Sequence, residues 1–174
     1  MRTRDVAAAA GVSEALLFRH FPTKEDLICA VMDAQGHAAR MAQAAELLRS
    51  QAPRQALIEL AARFFETIQD QSERTRLSLF ATLEFPIQAE AFYRDYAEPL
   101  LRAEADVFRR AAQERLLAGD TRPAPDPEVA ARAFHGTLMF YNLRLNVFRA
   151  EHLPDDRTAL AKSVVDLFLP EVQP

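Results

Sequence analysis

Glycine and cysteine are scarce in this sequence, and each scarcity excludes a class of protein. Only 4 of the 174 residues are glycine, which excludes a glycine-rich phosphate loop, a dinucleotide fingerprint and most β-sandwich or barrel folds. The lone Cys29 excludes a disulfide framework and a cysteine-based zinc site. No apolar run reaches membrane-spanning length, and residues 1–20 lack the pattern of a signal peptide. We therefore expect a soluble, cytoplasmic, all-α protein without membrane contact.

Lysine is also scarce, and the overall charge is negative. Only Lys24 and Lys162 are lysines, and the chain carries a formal net charge of −4. An acidic chain is no general polyanion binder, so any nucleic-acid binding requires a local basic surface. Residues 1–24 supply one, because they hold four basic residues against two acidic ones.

Residues 3–27 carry the pattern of a helix-turn-helix. Thr3 is a suitable cap for a first helix, which Gly11 ends, and Ser13 is a suitable cap for a second helix, which Pro22 ends. A small core of Val6, Val12 and Leu17 would hold the two helices together, with Leu17, Phe18 and Phe21 on the buried side of the second helix. The exposed start of the second helix is then free to enter a major groove.

The rest of the chain predicts further helices. Thr23 begins a long one whose apolar stripe continues without a break from Leu27 to Leu48. Later segments cover 53–68, 73–85, 88–118 with a kink at Pro99, 127–150 and a last helix after Asp156. We divide the chain into a DNA-binding domain with its linking helix at 1–48 and a ligand-binding and dimerisation domain at 49–174.

Catalytic signatures are missing from the sequence. No Glu is followed three residues later by His, and there is no His-Glu-x-x-His or Gly-x-Ser-x-Gly motif. We therefore expect no enzyme, no metal site and no cofactor.

The string GVSEALLFRHFPTKEDL, residues 11–27, resembles the DNA-binding signature of the TetR family of transcriptional regulators. The resemblance includes the His-Phe pair, the capping residue before Lys24 and the acidic-x-Leu pattern of Glu25 and Leu27 that follows. It implies an N-terminal helix-turn-helix head joined to a helical body. It also places the following residues at the DNA: Thr3, Arg4, Ser13, Glu14, Ala15, Leu16, Phe18, His20 and Lys24.

The sequence departs from the family pattern in three ways. Phe18 stands where tyrosine is usual, and Ala15 and Leu16 replace glycine and a small polar residue. The family also has a helix before the one at Thr3, so the resemblance implies a head truncated at its N-terminus. Without that helix, apolar side chains of the head would be exposed, and each would lose about 1.5–3 kcal/mol of the free energy gained by burial.

The resemblance further implies a ligand cavity and a dimer interface in the body. The aromatic residues there are expected to be mostly core, and polar residues between apolar neighbours are the better pocket candidates. The predicted pocket residues are Phe64, Phe80, Glu84, Phe85, Tyr96, Phe134, His135, Tyr141 and Asn142. The predicted dimer residues on the last two helices are Ala130, Ala133, Gly136, Thr137, Leu160, Val164 and Leu167.

Two functional hypotheses follow. The first is a homodimeric repressor that a small apolar or aromatic effector releases from a near-palindromic operator on double-stranded DNA. The alternative is a ligand-binding or interaction dimer whose DNA binding is impaired because the first helix is absent.

Overall fold

The computed structural model describes residues 2–34, 36–69, 71–150 and 152–170, and within these ranges it is helical with no strand. The expected all-α fold is confirmed. A π-helical turn, Tyr93–Ala97, separates α7 from α8. The helices are α1 Thr3–Ala9, α2 Glu14–His20, α3 Lys24–Ala34, α4 His37–Ser50, α5 Pro53–Ile68, α6 Ser72–Glu84, α7 Pro86–Phe92, α8 Glu98–Leu117, α9 Pro127–Asn146 and α10 Arg157–Asp166.

Helices α1 and α2 and the start of α3 form the N-terminal head. The chain leaves α1 through Gly11 at a φ of +68°, a left-handed conformation that glycine adopts at little cost. The Ser13 hydroxyl caps α2 by accepting from the backbone N–H of Leu16 at 3.1 Å. Thr23 and Asp26 form a capping box at the start of α3, in which the side chain of each accepts a hydrogen bond from the backbone N–H of the other.

Three details of the head differ from the prediction. Arg2, rather than Thr3, occupies the cap position of α1. Val12 and Phe18 are exposed, so the core of the head consists of Ala7, Leu17 and Leu27 with Val6 and Phe21 packed against them. Phe18 follows Leu17 by about 100° around the helix, so it cannot share the buried face that Leu17 occupies.

The predicted long helix after Thr23 is wrong, because α3 and α4 are separate helices. Gly36 precedes α4 with a φ of +66°, which a continuous right-handed helix does not contain. Of the predicted stripe, Leu27, Ala45 and Leu48 are buried, whereas the side chains of Val31 and Ala34 lie outside the described residues. The helical spacing of apolar residues continues across Gly36 in the sequence, but in the structure the chain changes direction there and α4 begins as a new helix.

The core of the body is built around α5, which packs against α4, α8, α9 and α10. Leu57, Ala61 and Phe65 have no exposed surface. A second layer of aromatic packing joins α8, α9 and the end of the chain, where Phe108, Phe134 and Phe168 meet edge to face. This packing fixes α9 and α10 to the rest of the body.

A helical irregularity in the middle of the body lies a few residues before the position predicted from the sequence. The predicted kink at Pro99 appears as the π-helical turn Tyr93–Ala97, and Pro99 lies in the first turn of α8. Proline lacks an N–H, so it fits a helix start, where that donor has no intrahelical partner. Asp126 and Asp156 cap α9 and α10, and α9 ends at Asn146 rather than near Ala150.

Candidate nucleic-acid interface

The start of α2 forms an exposed edge that we call the reading edge, residues 13–16. Ser13, Glu14 and Ala15 are exposed, and Leu16 is half-buried. The Ser13 hydroxyl is already committed to the helix cap. Thr3 donates its hydroxyl hydrogen to Glu14 Oε1 at 2.6 Å, which ties the start of α1 to the start of α2. The reading edge is therefore held in place by polar contacts within the head.

Exposed arginines and a histidine lie on the same two helices as the reading edge or beside them in the sequence. Arg2, Arg4, Arg19 and His20 are exposed, and none makes a side-chain hydrogen bond or ion pair with the described part of the chain. Solvated hydrogen-bond donors of this kind can bind phosphate oxygens without first breaking a bond within the protein. Sequence reasoning selected Arg4 and His20, but it omitted Arg2 and left the role of Arg19 open.

Lys24 is half-buried, and its side chain lies against the body. Its ammonium nitrogen is 5.5 Å from the ring centre of Phe80 and 5.9 Å from that of Phe85, both in the body. One turn further along α3, Ile28 packs in a cluster with Ala81 and Phe85. We call this cluster, with Lys24, Leu77 and Phe80, the head–body joint. The i, i+4 spacing of Lys24 and Ile28 was the available signal, because it puts both residues on one face.

The N-terminal segment also matches known proteins. Residues 1–31 match the sequence model of the family described as bacterial regulatory proteins, tetR family. The resemblance to the TetR family is confirmed. The matched segment covers α1, α2 and the part of α3 that carries Lys24 and Ile28.

The fold of the whole chain is also that of a TetR-family structure. A solved protein from Mesorhizobium loti MAFF303099, described as a TetR-family transcriptional regulator, superposes with a TM-score of 0.68 at 22% identity, covering 97% of this chain and 85% of that chain. No curated protein matches the sequence. The matched family model is described as one of regulatory proteins, and the superposed structure as a transcriptional regulator.

The residues predicted to line a TetR-type ligand pocket do not come together in one place. Phe134 has no exposed surface and lies in the aromatic core, while Phe80 and Phe85 belong to the head–body joint. Glu84 is exposed, which leaves it outside any enclosed cavity. The remaining predicted aromatic residues have different neighbours. Tyr96 contacts Phe92, whereas Phe64 and Tyr141 both contact Phe65.

Asn142 belongs to a structural network rather than to a cavity wall. Its side-chain oxygen accepts hydrogen bonds from Thr75 at 3.1 Å and from Asn146 at 2.8 Å. Asn146 is buried and donates a second hydrogen bond to the carbonyl of Ile68, the last residue of α5. The network joins the end of α5 to α6 and α9, and it satisfies polar groups that would otherwise be buried without partners.

His135 pairs with a fully buried carboxyl group. Its Nδ1 lies 3.1 Å from Oε1 of Glu104, whose other oxygen is buried without a hydrogen-bond partner among the described residues. Burial raises the pKa of Glu104, an effect that the nearby imidazole reduces. Burial acts to lower the pKa of His135, but the hydrogen bond and charge of Glu104 outweigh it, so this pKa is raised. The sequence analysis selected His135 and missed Glu104, because in the sequence Glu104 resembles the other acidic residues of α8, which are expected to be exposed.

The structure divides the predicted dimer residues into two groups. Ala130 and Val164 are buried in the core of the chain itself, so the prediction that they face a partner is corrected. Leu160 also packs against this core. Ala133, Gly136 and Leu167 are exposed, and Thr137 donates to the backbone of Ala133 at the edge of the same face.

Neither a metal centre nor a membrane span is found in the parts of the chain that the structure describes. No group of three or more His, Cys, Asp or Glu side chains there has the proximity needed to hold a metal ion. No helix in these ranges is both long and apolar enough to cross a membrane.

Proposed function

We propose that this chain is a homodimeric transcriptional repressor of the TetR type, which reads a near-palindromic operator and responds to a small effector. The observation that carries the proposal is the reading edge, a rigid and exposed helix start. Arg2, Arg4, Arg19 and His20 make no side-chain hydrogen bond or ion pair with the described residues. A helix of this kind enters the major groove with its first residues against the base edges.

Specific contacts follow from the side chains at the reading edge. Ala15 and Leu16 offer methyl groups to thymine, and Glu14 can accept a hydrogen bond from a cytosine amino group. Arg4 and His20 would bind phosphates, with Thr3, Ser13 and Phe18 against the adjacent backbone. Because Glu14 already accepts from Thr3, reading a cytosine would use the remaining acceptor positions of its carboxylate.

A dimer is needed for such an operator, because one helix reads only a few base pairs. The exposed stripe of Val129, Ala133, Gly136 and Phe140 recurs every three or four residues along α9. Its small residues allow a second copy to approach closely. Two-fold pairing through α9 would place two reading edges about one DNA turn, or a small multiple, apart.

The response to an effector would act through the head–body joint. The ligand can release DNA only if it prefers the arrangement in which the two reading edges are wrongly spaced, and the coupling equals that difference in affinity. The joint is the contact through which such a shift of the body reaches α3, since Lys24 and Ile28 pack on α6 residues.

Selection from random double-stranded DNA tests the proposal and does not require the operator sequence in advance. We expect the wild-type protein to enrich a motif with two-fold symmetry. Ala15→Asp should enrich no such motif, because it brings a negative charge to the reading edge against the bases. Ala118→Asp, an exposed alanine at the end of α8, is the matched control and should enrich the wild-type motif.

Two outcomes contradict the proposal. One is a wild-type protein that enriches no sequence, and the other is an Ala15→Asp variant that enriches the same motif as wild type. Circular dichroism of each variant checks that the charge has not unfolded the head.

A further inference from the structure

A cavity of about 240 Å³ lies between the second half of α9, the segment after it and the start of α10. It is distant in sequence from the reading edge, and the predicted pocket set contributes only Tyr141 to it. Its size is below the range of about 300–1,000 Å³ of drug-sized ligand sites, so it suits a small molecule. The residues that line it are Tyr141, Arg144, Leu145, His152, Leu153, Pro154 and Leu160.

Three polar side chains of this cavity are free to bind a ligand. The Arg144 guanidinium, the His152 ring and the Tyr141 hydroxyl make no hydrogen bond or ion pair with the described part of the chain. Each can donate a hydrogen bond, and Arg144 adds a positive charge. An exposed arginine alone is usually only solvated, but here it borders a concave site together with two further donors. This donor set favours an anion.

The walls of the cavity select among anions. Leu145, Leu153 and Leu160 supply apolar surface, and Leu153 is 9% exposed. The Tyr141 ring packs edge to face on the buried Phe65 with ring centres 5.1 Å apart, which holds the ring in place at the cavity. A guanidinium binds a planar carboxylate through two parallel hydrogen bonds, while apolar walls favour a short hydrocarbon tail over an inorganic ion.

We propose that this cavity binds a small aliphatic carboxylic acid, with Arg144 on the carboxylate and the leucines around the tail. The role of that acid as an effector rests on the proposed function, but its binding does not. The site is distinct from the buried Glu104–His135 pair, which lies in the contact between α8 and α9.

Isothermal titration calorimetry with sodium hexanoate tests the proposal on the full chain. We expect saturable binding to wild type, at least ten-fold weaker binding to Arg144→Gln, and a smaller loss for Tyr141→Phe. Arg132→Gln is the matched control, because Arg132 is an exposed arginine on the same helix three turns away, and it should bind hexanoate like wild type. Hexanamide, which keeps the tail and lacks the charge, should bind at least ten-fold more weakly than hexanoate.

Each alternative result overturns the proposal. One such result is that hexanoate shows no saturable binding, and a second is that hexanamide binds as tightly as hexanoate. A third is that Arg144→Gln and Arg132→Gln lose affinity for hexanoate equally, and a fourth is that inorganic phosphate binds as tightly as hexanoate. The titration contains no DNA, so its failure would leave the DNA-binding proposal standing, and failure of the DNA selection would leave this site standing.

Discussion

Glu104 places a carboxyl group in the core of the body with no exposed surface, next to the imidazole of His135. The pKa of each group is raised in the folded protein. The folded state therefore keeps protons that the unfolded chain releases as pH rises. Stability is consequently greatest below the ordinary pKa of the carboxyl group and falls as pH rises through the raised pKa values of the pair.

Glu104→Gln should remove this fall in stability with pH. The variant has no carboxyl group to ionise, and His135 loses the partner that raises its pKa. Urea denaturation at pH 5, 6, 7 and 8 would measure the change. Glu66→Gln, the same substitution at an exposed position of α5, serves as control and should keep the wild-type slope. A wild-type free energy of unfolding that rises over this range would contradict the argument.

At the scale of helices, most of the elements could be predicted because their ends are marked by local chemistry. Ser13, Asp126 and Asp156 cap their helices within three residues of sequence. The break at Gly36 was missed because apolar residues continue in helical register on both sides of it. A glycine within such a pattern is compatible with a continuous helix or a joint, and only packing against α6 and α8 distinguishes them.

The head–body joint yields a prediction about DNA binding. We predict that, when the head binds DNA, the Lys24 ammonium leaves the rings of Phe80 and Phe85 and binds a phosphate. Lys24→Ala should then weaken binding and reduce the slope of log affinity against log salt by about 0.9. Phe80→Leu keeps the charge and most of the apolar packing, so it should tighten binding about two- to five-fold, the equivalent of about 0.5–1 kcal/mol of cation–π attraction.

A salt titration with the selected DNA would measure both effects. An unchanged slope for Lys24→Ala shows that the ammonium stays on the rings in the complex. Weaker binding by Phe80→Leu shows that the joint supports the DNA-bound arrangement rather than competing with it.

At the scale of the whole molecule, the exposed stripe of α9 is the surface through which we propose that two copies pair. Phe140 is 57% exposed and Val129 62%, although both are apolar. Phe140→Arg places a charge within the proposed interface, where its burial without a partner would cost several kcal/mol. We expect this variant to be monomeric in sedimentation equilibrium at concentrations where wild type is a dimer.

Leu83→Arg provides the control for a general effect of added charge. Leu83 is an exposed apolar residue of α6, away from α9 in the sequence, and its substitution should leave the dimer intact. A dimeric Phe140→Arg, or a monomeric Leu83→Arg, would place the interface elsewhere.

The sequence by itself determined the helical class, most helix ends and the reading edge, because these depend on residues within a few positions of each other. Tertiary structure alone decided which residues the long side chains contact and whether those side chains are buried. The Lys24 ammonium lies near the rings of the body, and Glu104 is a buried partner of His135. The residues of the predicted pocket likewise lie apart in the structure, in the aromatic core, in the head–body joint and in the hydrogen-bond network of Asn142. Contacts between distant segments depend on how helices pack, and the period of one helix does not specify which face its neighbour covers.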